Sequence, residues 1–146
     1  MVASALDVSA PVDPVTALRR IAYLLERQRA GSYRIEAFRK AAATIAGLPG
    51  QELNARHTAG TLGELPGIGK ATAAVIADAL SGELPAYLAT LQEGSGGPLA
   101  TGGEALYAAL TGDCHSHSNW SDGGSPIEEM VLSAVETGHD WLVLTD

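Results

Sequence analysis

The sequence predicts a mainly helical protein that changes, towards its C-terminus, into the start of a β-α-β unit. Three observations carry this. Apolar residues recur at helical spacing from residue 14 to residue 91. The run Glu93-Gly94-Ser95-Gly96-Gly97-Pro98, followed by Thr101-Gly102-Gly103, then breaks that pattern with flexible-linker composition. Beyond it, Pro126–Glu136 regains helical spacing and Trp141-Leu142-Val143-Leu144 is an apolar run of strand length. The division expected is a loose tail over 1–12, a helical domain over 13–93, a linker over 94–103 and a second region over 104–146.

Charge follows the same division. All nine Lys and Arg lie between Arg19 and Lys70, so residues 14–80 carry nine basic against five acidic side chains. Residues 81–146 carry ten acidic side chains and no Lys or Arg. The formal net charge of −8 therefore conceals a basic half suited to a polyanion and an acidic half that repels one unless metal cations neutralise it. No stretch has the uninterrupted apolar length of a transmembrane helix. Met1-Val2-Ala3-Ser4-Ala5-Leu6-Asp7 lacks the basic start of a secretory signal. Cys114 is the only cysteine, which excludes an internal disulfide and predicts a reducing, cytoplasmic setting.

Asp13-Pro14 supplies an N-cap and a proline at the first helical position. Leu18, Ile21, Ala22 and Leu25 then form a core face, and Ala30-Gly31-Ser32 ends the helix. A second helix spans Tyr33–Ala46, with Ile35, Phe38, Ala42 and Ile45 as its stripe and Arg34, Arg39 and Lys40 as positive charges. Gly47-Leu48-Pro49-Gly50 stops it. A weaker helical segment and a loop follow to Gly60, with His57 as a solvated polar residue.

Thr61-Leu62-Gly63-Glu64 has the spacing of a capping box, which predicts a short helix. Pro66-Gly67 then punctuates a turn in Glu64-Leu65-Pro66-Gly67-Ile68-Gly69-Lys70. Ala71–Leu80 consists of strong helix formers, and Gly82 is placed for a left-handed C-terminal cap. Pro85–Leu91 predicts one more short helix. The glycine turn is not a P-loop, because Glu64 stands five residues before Gly69 and Ala71 follows Lys70. It is not a dinucleotide fingerprint, because Thr72 occupies the third glycine position. It resembles a helix-hairpin-helix, in which glycines admit a phosphate to backbone N–H groups at a helix N-terminus. An ordinary turn between two core helices has the same spacing.

Ala37-Phe38-Arg39-Lys40-Ala41-Ala42-Ala43-Thr44-Ile45-Ala46 and the hairpin together resemble the N-terminal helical domain of family X DNA polymerases, over residues 14–91. The resemblance implies non-sequence-specific binding to gapped DNA or 5′-phosphate ends. Tyr33, Arg34, Arg39 and Lys40 are the matching contacts on the second helix, with Gly67, Gly69, Lys70 and Thr72 at the hairpin. It also implies a monovalent cation, K+ or Na+, on the backbone carbonyls of Gly63, Leu65 and Ile68. Some members carry a Schiff-base lysine in the helix after the hairpin. Val75 stands at that position, so lyase chemistry, which requires a primary amine, is not expected.

Beyond the linker stand Asp113-Cys114-His115-Ser116-His117-Ser118 and Ser121-Asp122-Gly123. Residues two apart on a strand share a face, so His115 and His117 point together, with Asp122 able to supply an oxygen ligand from the following loop. Imidazole with carboxylate suits zinc, manganese or iron. Two surface histidines at random give the same pattern. The wider stretch resembles the first motif of the polymerase-and-histidinol-phosphatase (PHP) domain, with Thr145-Asp146 matching the start of the second. Cys114 is expected as a small buried apolar residue and His139 as structural. The resemblance implies an irregular (β/α)7 barrel with a trinuclear metal centre that hydrolyses phosphoesters. Only the incomplete β-α-β start of such a barrel is expected here, so the chain reads as truncated and catalytically inert on its own.

The combined reading is a DNA-binding, metal-dependent phosphoesterase or 3′–5′ exonuclease of bacterial DNA repair, cytoplasmic and nucleoid-associated, without polymerase activity or membrane attachment. A non-catalytic DNA-binding adaptor and a small-metabolite phosphatase are the alternatives.

Overall fold

A computed structural model describes residues 12–95 and 101–146. The predicted tail, apart from Val12, and residues 96–100 of the predicted linker lie outside the described residues. The chain divides into two compact units, one within 12–95 and one within 101–146. Seven α-helices, one 3-10 turn and one two-stranded sheet make up the regular structure of the described residues.

The first unit is helical. Helix α1 (Pro14–Arg27) begins where Asp13 predicts it. The Asp13 carboxylate accepts the Thr16 N–H at 3.0 Å and the Thr16 hydroxyl at 3.1 Å, and Pro14 supplies the first helical φ. Leu18, Ile21, Ala22 and Leu25 are buried as the spacing predicts. Ala17, Tyr23 and Leu24 are buried too, because α1 packs against three helices rather than one. These are α2 (Ser32–Ala46), α4 (Lys70–Leu80) and α5 (Ala86–Glu93). The α2 stripe Ile35, Phe38, Ala42 and Ile45 is buried, and the Phe38 ring meets Tyr87 of α5 with centroids 5.6 Å apart.

Two expectations before the hairpin need correction. The weak segment after Gly50 is a full helix, α3 (Gly50–Ala59). Gly60, at φ +70°, ends it: the Gly60 N–H bonds the His57 carbonyl and the Thr61 N–H bonds that of Arg56. The predicted short helix shrinks to a single 3-10 turn over Leu62–Glu64, and the Thr61 side chain does not cap it. Pro66 disfavours helical backbone at Leu65, which is extended at φ −70°, ψ 139°. Helix α4 then ends as its glycine predicts. Gly82 adopts φ +78°, its N–H reaches the Ala79 carbonyl and the Glu83 N–H reaches that of Asp78.

In the second unit, α6 (Glu104–Ala109) precedes strand β1 (Gly112–Ser116), helix α7 (Ile127–Glu136) and strand β2 (Trp141–Leu144). The strands pair in parallel, with Gly112 opposite Trp141, Asp113 opposite Leu142 and Ser116 opposite Leu144. This is a β-α-β unit, and two strands do not distinguish a barrel from any other parallel sheet. One side-chain expectation fails here. Cys114 is exposed. On α7, Val131 and Val135 are about half exposed while Glu129 is buried. Every buried hydrophobic side chain among the described residues lies between Pro14 and Leu91.

Candidate nucleic-acid interface

The hairpin is built from the turn outward. The Ile68 N–H bonds the Leu65 carbonyl at 3.1 Å, with Pro66 and Gly67 as the two central residues. Proline first and a positive φ second, +79° at Gly67, make this a type II turn. Gly69 follows in extended backbone at φ −99°, ψ 178° and caps α4. Its N–H donates to the Thr72 hydroxyl at 2.9 Å, and that hydroxyl donates back to the Gly69 carbonyl at 3.0 Å. Among the described residues, the N–H groups of Lys70, Ala71 and Thr72 have no hydrogen-bond acceptor, as the first turn of a helix leaves them. They concentrate positive potential where the helix dipole already favours an anion.

Helix α2 brings charge to that point. Tyr33 and Lys40 are seven residues apart and so share a face, with Thr44 one turn further. The Thr44 hydroxyl donates to the Pro66 carbonyl at 3.1 Å. The Lys40 stem lies along Gly67: a Cβ built there would stand 3.1–3.3 Å from three Lys40 carbons. The exposed Lys40 ammonium is thereby carried beside the turn. Tyr33, 90% exposed, and Arg34, also exposed, sit at the start of the same helix.

Two expected contacts are placed otherwise. Arg39 is largely covered, and its guanidinium is held by Glu26 of α1 and by Glu36 at 3.0 Å. Thr72 is buried at 4% exposure with its hydroxyl bound to Gly69, which leaves only its N–H outward. Sequence alone does not mark Thr44; its helical spacing from Lys40 puts it on the same face as that lysine, and the structure turns this face to the hairpin. Gly69 is the informative glycine. Its φ suits any residue and a Cβ there would meet nothing within 4 Å, so the fold does not require glycine at this position. Val75, at the position of the absent lysine, is 2% exposed and belongs to the core.

The three carbonyls assigned to a monovalent cation are hard oxygen donors in one loop. Leu65 O already accepts the Ile68 N–H, whereas those of Gly63 and Ile68 accept no hydrogen bond among the described residues. Nothing in that arrangement conflicts with an alkali ion.

In the second unit, His115 and His117 do converge. Their Nε2 atoms are 3.0 Å apart. Two nitrogens bound at about 2.05 Å to one tetrahedral zinc stand roughly 3.3 Å apart, so the pair fits a shared divalent ion. Asp122 is placed differently from the expected ligand. Its carboxylate lies 3.1 Å from Nδ1 of His117, on the opposite side of the ring, where a carboxylate orients a ligating imidazole. Gly123 closes this loop against the His117 carbonyl, which a Cβ would approach to 2.3 Å. Asp146 accepts the Ser118 N–H and the Ser121 hydroxyl, each at 2.7 Å, and the Ser118 hydroxyl. The Ser118 and Ser121 hydrogen bonds hold its carboxyl below the usual range, with His117 adding to the effect. Among the described residues no group of three or more His, Cys, Asp and Glu is arranged to hold a metal.

Comparison with known proteins bears on the first unit. Residues 12–83 match the family model of a helix-hairpin-helix domain. Over 37 residues the chain is 40% identical to the DNA polymerase/3'-5' exonuclease PolX of Bacillus subtilis (strain 168). That stretch is 25% of this chain and 6% of the relative, so the chain spans only a small part of that protein's length. No solved structure matches the chain.

Proposed function

We propose that the first unit grips the phosphate backbone of DNA without reading bases, and that the protein it belongs to is a metal-dependent phosphoesterase or 3′–5′ exonuclease of DNA repair. The observation that carries the DNA-binding part is the row of open N–H groups over Lys70-Ala71-Thr72, following a turn along which the Lys40 stem packs at Gly67. Backbone donors and a lysine reach phosphate but no base edge, which suits binding without sequence preference. Exposed Tyr33 and Arg34 extend the surface towards a gap or a 5′-phosphate end. A K+ or Na+ ion on the carbonyls of Gly63, Leu65 and Ile68 would add a cation to the same loop. Binding is expected to a gapped duplex carrying a 5′-phosphate and to fall steeply with salt. If three phosphates are neutralised, affinity drops roughly fortyfold between 50 and 200 mM salt. Salt-independent binding in a titration, or none, rejects this part.

The phosphoesterase part draws on the histidine pair, the PHP resemblance and the exonuclease named in the relative. A divalent ion, Mn, Zn or Fe, would supply an activated water and stabilise charge developing at phosphorus. Nε2 of His115 and His117 would hold it, and Asp122 would fix the His117 ring. Two imidazoles are fewer protein ligands than catalytic zinc sites use, so residues 1–146 alone should release no nucleotides from DNA with manganese. Release that His115→Ala abolishes would mean that the ligand set is complete as it stands, for example through a second copy. With Val75 in place of an amine, no Schiff-base lyase step is assigned. A non-catalytic DNA-binding adaptor is the second reading.

A further inference from the structure

We infer that Thr44 is a positioning residue for the hairpin, holding the central peptide of the Pro66-Gly67 turn in the orientation that phosphate binding needs. The inference rests on the DNA-binding reading of the same hairpin. Type I and type II turns differ by a flip of the peptide between their two central residues, here the one joining Pro66 to Gly67. In a trans peptide the carbonyl and the following N–H point in opposite directions. The Thr44 hydroxyl binds the Pro66 carbonyl at 3.1 Å, which draws that carbonyl towards α2 and turns the Gly67 N–H away from it. A flipped peptide would present the carbonyl oxygen where the N–H now points, and an anion approaching there would meet a negative dipole.

Two further features fit this role. Glycine at position 67 makes the flip easy, because both signs of φ are accessible to it. The Lys40 stem runs along Gly67 and carries the ammonium beside the same turn. Thr44 therefore acts from outside the hairpin, through one hydrogen bond, on a group that it does not share with the ligand.

The test compares Thr44→Val, which keeps shape and removes the hydroxyl, with Thr44→Ser, which keeps the hydroxyl. Valine and threonine have similar helix propensities, so both variants should fold. The full chain is titrated with a labelled, 5′-phosphorylated gapped duplex, and the amide resonances of Gly67, Ile68 and Gly69 are followed in free protein. One lost hydrogen bond corresponds to about three- to tenfold. Thr44→Val should weaken binding by that factor, leave the salt slope unchanged and shift or broaden the Gly67 amide. Thr44→Ser should stay within twofold of the parent. Binding by Thr44→Val within twofold of the parent, or an unmoved Gly67 amide, overturns the inference. So does equal weakening by the serine variant. If the parent chain does not bind DNA, the functional reading fails, and the Gly67 amide still decides whether Thr44 sets the turn.

Discussion

Replacing Gly69 with aspartate should abolish DNA binding while leaving the helical unit at least as stable as before. The two effects have opposite signs because they act on the same group of N–H donors. Gly69 caps α4 and has no side chain to occupy the donors of the first turn. Aspartate is among the preferred N-cap residues, whereas glycine is a weaker one. Its carboxylate would accept from the open N–H groups and interact well with the helix dipole, for about 0.3–1 kcal/mol. The backbone at φ −99° accepts any residue, and a Cβ meets nothing within 4 Å, so no strain offsets that gain. The same carboxylate would sit where the phosphate is proposed to sit, and would repel it. We expect at least a hundredfold loss of affinity for the gapped duplex and a melting temperature equal to or a few degrees above the parent's. Gly67→Val provides the contrast. At φ +79°, with Lys40 carbons against the new side chain, it should lose both binding and stability. Left-handed backbone costs a non-glycine residue about 1–2 kcal/mol, or several degrees in a domain of this size. If Gly69→Asp binds as the parent does, the phosphate does not meet the N-terminus of α4.

Much of the first unit was legible because its signals are local. Asp13-Pro14 and Gly82 act within one turn of the helix ends they mark. The stripes of α1 and α2 needed only the helical period. What escaped the sequence depended on partners distant along the chain. Arg39 looks like a DNA contact from its place beside Lys40, but Glu26, thirteen residues earlier, lies across from it on α1. Thr72 looks like an outward polar residue in a short motif, yet its hydroxyl closes on Gly69 and turns it inward. In the second unit, His115 and His117 do stand side by side, although His117 lies just past the end of β1 rather than on it. Spacing did not reveal which ring nitrogen Asp122 would meet, since that depends on how the loop closed by Gly123 returns to His117.

Amide hydrogen exchange should separate the two units by several orders of magnitude. The reason is the distribution of apolar burial. Leu18, Ile21, Leu24, Leu25, Val75, Ile76 and Leu88 are each buried to within 2% of complete, and they join α1, α4 and α5 into one core. A domain of some eighty residues built this way is stable by about 4–12 kcal/mol. Its central amides open only with the whole unit, so protection factors of roughly a thousand or more are expected along α1 and α4. Residues 101–146 have no counterpart. Their buried side chains are Ser116, Ser118 and Glu129, while Leu106, Tyr107, Val131, Val135, Trp141 and Val143 stay largely exposed. Leu142, Val143 and Leu144 form a run of the kind that parallel sheets bury on both faces, and two strands with one helix leave much of it open. The hydrogen bonds pairing β1 with β2 are thus supported by polar contacts, chiefly those of Ser116 and Asp146, rather than by an apolar core. Exchange in β1 and β2 should be close to that of unstructured chain, and a dye that binds exposed apolar surface should bind the intact chain but not residues 12–95 alone. Equal protection of Leu142–Leu144 and α1 in the isolated monomer would show that apolar cover reaches the sheet from a source that the described residues do not contain.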